Sequence, residues 1–263
     1  MRQMGGCDWR KIRFPSGAAL GIQRRNGYLT TMKLTMQRFL MSQLPVALLV
    51  AAGCVLAAPT LVSAQEKVPL ELKLPAPTLK GTPEDLPSGP HIEPLSDKPR
   101  PPFLIAKGVQ NVALNKPVTS SVKPFTGELS QITDGKKEAF DYDAVEMRKG
   151  TQWVQVDLGQ SYAIQAVVMW HDHRYIQVMH DVIVQVSDDP EFKDNVQTIF
   201  NNDVDNSSGL GVGTDREYFE THWGKIVDAK GVEGRYVRAY TKGSSLSALN
   251  CWQELEVYAL PAS

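Results

Sequence analysis

Three of the chain's five histidines, His171, His173 and His180, crowd into the stretch MWHDHRYIQVMHD. Side chains two apart on a strand point the same way, with Cα atoms roughly 6.5 to 7 Å apart. An H-x-H pair at that spacing is a metal-ligand arrangement that zinc sites complete with a third ligand. His180 would be that ligand, with Asp172, Asp181, Asp203 or Asp205 supplying a carboxylate. A second chemistry fits the same place. Trp170, His171, His173, Arg174 and Tyr175 stand where a strand gives way to a loop, and together they suit a rim for a polar ligand. A flat aromatic packs on the apolar face of a pyranose, while His and Arg donate to its hydroxyls. The third reading is plain loop residues with local hydrogen bonds, and Trp170 ends an apolar strand, so it also fits a core position. Hydrolysis would need a positioned base with an oxyanion or metal partner, and no motif here assembles them.

The loop NNDVDNSSGLGVGTD offers a different chemistry. Asp203, Asp205 and Ser207 imitate the start of an EF-hand loop. Its glycine comes one place late, and Thr214 stands where a bidentate Glu is required. A single glycine-rich copy such as GLGVGTD carries little weight. No strand–turn–helix unit frames it for a dinucleotide. It reads as a long loop shaped by glycine and asparagine, at the border of whatever end of the fold binds.

The elements that must position these residues begin late in the chain. Phe39 to Gln65 holds no charged side chain and is flanked by Lys33 and Arg38. Val62-Ser63-Ala64 closes it with small residues, the layout of a signal peptide cleaved near Ala64. Residues 1–64 are therefore expected to be a leader, with Met32 a candidate true start, and the product to be exported: periplasmic, cell-surface or secreted. An uncleaved membrane anchor is the rival reading, since the run would just span a bilayer.

Eight of the 28 basic and one of the 29 acidic residues precede Gln65, which leaves 20 against 28, a net of about −8. That acidity argues against nucleic acid or an anionic membrane surface as partner. Of the three cysteines only Cys251 remains, so no intrachain disulfide forms. Ten of the 17 prolines fall between Gln65 and Gly108. Proline fixes φ and removes donors, so residues 65–108 read as an extended, disordered linker acting as a spacer.

From Val109 the texture becomes β. TQWVQVDLG alternates and should end at Gly159, and YAIQAVVMW follows after a two-residue break. DVIVQVS sets Val182, Val184 and Val186 on one face. GRYVRAYT sets Tyr236, Arg238 and Tyr240 against Arg235, Val237 and Ala239, and CWQELEVYA closes the series. The pattern predicts an all-β jelly-roll β-sandwich over residues 109–261.

NVALNKPVTSS (Asn111–Ser121), ITDG (Ile132–Gly135), WVQVDLGQSYAIQAVVMW (Trp153–Trp170), VIVQVSDDPEF, GRYVRAYTKGSS and CWQELEVYA occur in a familiar order. In this the chain resembles the discoidin, or coagulation-factor C-type, family, above all its bacterial galactose-binding-like carbohydrate-binding members. The resemblance implies a non-catalytic β-sandwich that binds ligand at loops on one end, and in many members a calcium ion. Asp134 in the Asp-Gly turn and Glu254 near the end fall where the family places carboxylates. Carbonyls of Gln131, Lys136 and Gln253 would complete the shell, with the calcium structural. DGKKEAF departs from the pattern, with lysine where Asp or Asn is usual. A substituted neighbourhood around Cys251 also puts a ligand role for Asn250 in doubt. No loop carries a run of exposed apolar residues, so membrane lipid is the poorer expectation. The expected partner is a carbohydrate or glycan. The alternatives are a cell-surface adhesion or scaffold module that binds a protein partner, and a small metalloenzyme using His171, His173 and His180.

Overall fold

Alternation of β-branched and aromatic residues with polar ones produces antiparallel strands almost throughout. A computed structural model describes residues 65–77, 86–96, 98–140 and 144–262. The expected leader lies outside the described residues. In chain order the strands are β1 (Lys67–Pro69), β2 (Leu104–Ala106), β3 (Gln110–Asn111), β4 (Val118–Ser120), β5 (Val145–Met147), β6 (Gln152–Trp170) and β7 (Val178–Met179). They continue as β8 (Ile183–Ser187), β9 (Gln197–Asn201), β10 (Tyr218–Phe219), β11 (Lys225–Thr241), β12 (Asn250–Trp252) and β13 (Glu254–Pro261). One 3-10 turn, Leu129–Thr133, is the helical element among the described residues.

The main sheet runs β3-β13-β6-β11-β8-β9, with β4 added on β6. Three short ribbons, β1–β2, β12–β5 and β10–β7, lie outside it among the described residues. Core residues come from both sets: Val154, Val156, Val167, Met169, Val237, Leu255 and Val257 from the sheet, with Met147, Met179, Tyr218 and Trp252 from the ribbons. This is the layered all-β sandwich that the pattern predicts. Val182, Val184 and Val186 all enter the core, as does the Val237/Ala239 face of β11. The opposite face of β11 is covered too, because Arg238 lies between the rings of Trp153 (4.3 Å) and Phe192 (4.1 Å).

Two expectations are corrected. Gly159, at φ +89°, does not end its strand. β6 continues through it, and the register against β11 shifts between the pairs Asp157↔Tyr236 and Tyr162↔Gly234. The glycine makes a bulge that lets one strand serve both halves of the sheet. The second correction concerns residues 65–108, whose described parts are not a free, disordered linker. β1 pairs with β2, Ile92 bridges to Glu217 in parallel, and the Arg100 guanidinium donates to Trp223 O at 2.6 Å and Gly224 O at 2.9 Å. Proline removes donors but leaves its carbonyls and its neighbours free to bond, so a proline-rich stretch can still dock on a sheet edge.

Candidate functional site

β6 ends at Trp170, and the chain turns over the end of the sandwich. Here each of the three clustered histidines has a different partner. His171 is fully buried, its ring 4.5 Å from that of Trp252. Its Nδ1 meets Glu220 Oε2 at 2.8 Å. That contact assigns the proton to Nδ1, donating to the carboxylate. His173 is buried as well, with Nε2 donating to Lys137 O at 2.8 Å. His180 is half-buried and meets Glu217 Oε1 at 2.6 Å. The expected H-x-H convergence is thus divided among three sites. Among the described residues, the ligand atoms that do converge are those of Asp181, Asp203 and Asp205. Their oxygens are already engaged: Ser207 Oγ donates to Asp181, Ser208 N–H and hydroxyl donate to Asp203, and Lys242 Nζ lies 3.6 Å from Asp181. Trp170 is also corrected. It is fully buried and donates from Nε1 to His222 O at 3.1 Å, so it is a core residue and not a stacking platform.

The remaining two rim residues do reach the surface. Arg174 closes a fork on Asp172, with Nε to Oδ1 at 2.9 Å and Nη2 to Oδ2 at 2.8 Å. Burial pushes the Asp172 carboxyl up, but the Arg174 bonds outweigh it and hold it below the usual carboxylate range. The guanidinium also sits 5.8 Å over the ring of Tyr175, which is 42% exposed. Tyr175 stands on a cleft of about 310 Å³, whose walls include Glu146, Gln177, Ser244 and Leu246, with His171 beneath the floor. Leu246, 61% exposed, is a second apolar wall. Ser244 Oγ donates to Gln177 Oε1 at 2.5 Å, which turns both side chains into one polar unit. Glu146 comes from β5 opposite Cys251 on β12. Its backbone is tied to Thr126 and Phe125, while its carboxylate has no hydrogen bond or ion pair among the described residues.

Asn250 braces the loop that carries Ser244 and Leu246. Its Oδ1 accepts from Thr241 Oγ1 (2.8 Å) and Gly243 N (3.0 Å), and its Nδ2 donates to Arg148 O (2.7 Å) and Gly150 O (2.9 Å). Every polar position on the side-chain amide is used, so Asn250 shapes the cleft without reaching into it. Sequence reasoning missed Glu146, Gln177, Ser244 and Leu246. The small-residue loop KGSSLSAL between two strands was the available signal for the last two.

The expected calcium residues lie on another part of the same end. Gln131 sits in the 3-10 turn, where its side chain accepts from Glu128 N. Asp134 Oδ1 accepts from Lys136 N at 2.9 Å, and Lys136 Nζ lies 3.4 Å from Oδ2. Glu254 is fully buried, and both its oxygens accept from Gly135 N, at 3.1 and 3.2 Å. Gln253, also buried, donates its N–H to Trp170 O. Burial first, then the Glu256 carboxylate, push Glu254 up to about 9. The buried ammonium of Lys137 is 2.7 Å from Glu256 and so is already committed. Carboxylates here outnumber the buried cations that answer them, and that imbalance, with oxygen donors at hand, fits a hard divalent cation.

Residues 131–239, less than half of the chain, match the family described as F5_F8_type_C_2, NedA-like, galactose-binding domain. That stretch, from the 3-10 turn into β11, is similar to that family. Similar solved structures include chitosan-binding module 1 of a Paenibacillus sp. IK-5 chitosanase/glucanase, at 21% identity, TM-score 0.41, with 57% of this chain and 99% of that one covered. A Streptococcus pneumoniae fucose binding module, SpX-3, matches at 18% identity, TM-score 0.40, over 57% of this chain and 98% of that one. A Clostridium perfringens module in complex with GlcNAc-alpha-1,4-galactose matches at 16% identity, TM-score 0.41, over 59% and 97%. Among curated proteins no match is found.

Proposed function

We propose that this discoidin-like chain is an exported, non-catalytic module that binds carbohydrate in the cleft beside Tyr175. The observation that carries this reading is that Glu146, whose carboxylate has no partner among the described residues, lines the same cleft as the exposed Tyr175. A carboxylate accepts from two neighbouring hydroxyls at once, and an aromatic ring covers the C–H face of a pyranose. Gln177 and Ser244 offer one further donor–acceptor pair, and Leu246 closes the apolar side. The described lining of the cleft presents acceptors and apolar surface without lysine or arginine, and the neighbouring Arg174 is forked onto Asp172. That balance favours a neutral polyol over an anionic ligand. Binding of this kind breaks no bond in the ligand, which agrees with a galactose-binding-like family.

Calcium belongs to the same proposal as a structural ion held by Asp134 and Glu254, with carbonyls of Gln131, Lys136 and Gln253 around it. Its chemistry is charge neutralisation of buried carboxylates at the end of the sandwich, away from the sugar.

The test is a glycan array with the exported part of the chain, followed by titration calorimetry of each hit. Tyr175→Ala and Glu146→Gln should each abolish binding while leaving the melting temperature within about 2 °C of wild type, since both residues are partly exposed. Binding to no glycan, together with capture of a protein partner, would replace this reading with the adhesion alternative.

A further inference from the structure

We propose that the proline-rich segment is a working part of the binding module, in which Glu93 and Arg100 are positioning residues for the wall of the cleft. The part of this inference that concerns the ligand rests on the carbohydrate reading. The part that concerns the wall does not.

The wall depends on Glu217–Gly224, a segment that leads into β11 and whose only regular structure is the two-residue strand β10. Its inner side reaches the cleft by three links and the core by a fourth. Tyr218 and Phe219 pair with Met179 and Val178. Glu220 N donates to Gln177 O at 2.8 Å, and the Glu220 carboxylate holds His171. His222 O accepts from Trp170 Nε1. Gln177, Met179 and His171 are themselves cleft residues.

The outer side of this segment is held by the proline-rich stretch. Glu93 N donates to Glu217 O and Glu217 N donates to His91 O, both at 2.8 Å. The Glu93 carboxylate meets Lys225 Nζ at 2.5 Å, and that ammonium also lies 4.7 Å over the ring of Tyr218. Arg100 forks onto the carbonyls of Trp223 and Gly224. The backbone bonds fix the start of the segment at Glu217, and the Glu93 and Arg100 side chains fix its end at Trp223–Lys225. So short an element, with little ladder of its own, owes its position to what packs on both sides. Two charged side chains more than a hundred residues upstream therefore set where Glu220 stands, and through it His171 and Gln177.

The experiment uses the full chain with Glu93→Ala and Arg100→Ala combined, and a second variant, Arg100→Lys, which keeps the charge and loses the fork. Amide hydrogen exchange read by mass spectrometry should speed up about tenfold in peptides covering 177–180 and 217–224 of the double variant. Peptides from β6 and β13 should exchange as in wild type, and Arg100→Lys should fall between. Unchanged exchange in 217–224 would overturn the proposal. So would a uniform rise across all strands, which would mean general stabilisation only. In parallel, titration with galactose should show about tenfold weaker binding for the double variant. Unchanged galactose affinity beside altered exchange would overturn the link to the cleft. Failure of wild type to bind galactose bears on the ligand reading alone, and the exchange result then decides whether Glu93 and Arg100 position the wall.

Discussion

Asn250→Ala tests whether the cleft is a built feature of the fold. The side chain is buried and makes four hydrogen bonds of 2.7 to 3.0 Å, two as acceptor and two as donor. Truncation leaves the Thr241 hydroxyl, the Gly243 N–H and the carbonyls of Arg148 and Gly150 without these partners. An unsatisfied buried polar group costs about 1–3 kcal/mol. The hydroxyl can rotate and the glycine carbonyl can relax toward water, so the net cost is about 3–5 kcal/mol. For a domain of this size that corresponds to a fall of about 10 °C in Tm. Asn250→Asp is the sharper control. It keeps the acceptor for Thr241 and Gly243 but turns a carboxylate oxygen toward two carbonyls, so it should be at least as damaging. Thermal unfolding followed by circular dichroism reads both. If Asn250→Ala unfolds within about 2 °C of wild type and only sugar binding is lost, Asn250 is a ligand residue and the account of the loop is wrong.

Glu254 gives the protein a distinctive pH dependence. Its native pKa, pushed up to about 9, exceeds the ordinary carboxylate value near 4.5 that it regains on unfolding. Between those values the native state holds more protons than the unfolded state, so this group makes stability fall as pH rises. In urea titrations at several pH values without calcium, Glu254→Gln should flatten that fall, and calcium added to wild type should oppose it. Equal slopes for wild type and variant would refute the assignment. Arg238→Lys should cost about 1–2 kcal/mol, because lysine cannot stack between Trp153 and Phe192 while bonding Gln155 Oε1 and Pro190 O. A denaturant midpoint equal to that of wild type would contradict this.

Much of the sandwich was legible in the sequence because its information is local. DVIVQVS and GRYVRAYT state by alternation which side chains face the core, and the core takes Val182, Val184, Val186, Val237 and Ala239 accordingly. The site was less legible because its geometry is made by distant segments. Nothing in HDHRY says whether a histidine at a strand end turns outward or inward. His171 turns inward to Glu220, 49 residues later, and His173 to a carbonyl 36 residues earlier. Tyr175 could be read as a rim residue because it lies past the strand end. Glu146 could not, because only its pairing with Cys251 brings it to the cleft. Composition likewise describes proline content without revealing that Ile92 and Arg100 dock on residues 217–224.

The central claim is that a neutral sugar sits against Tyr175 and Glu146. Titration calorimetry of wild type and Tyr175→Ala against the strongest glycan-array hit measures it directly. Saturable binding by wild type, and none by a variant that melts normally, is the expected result. Equal affinity for both proteins, or heat released only by a protein ligand, would contradict it.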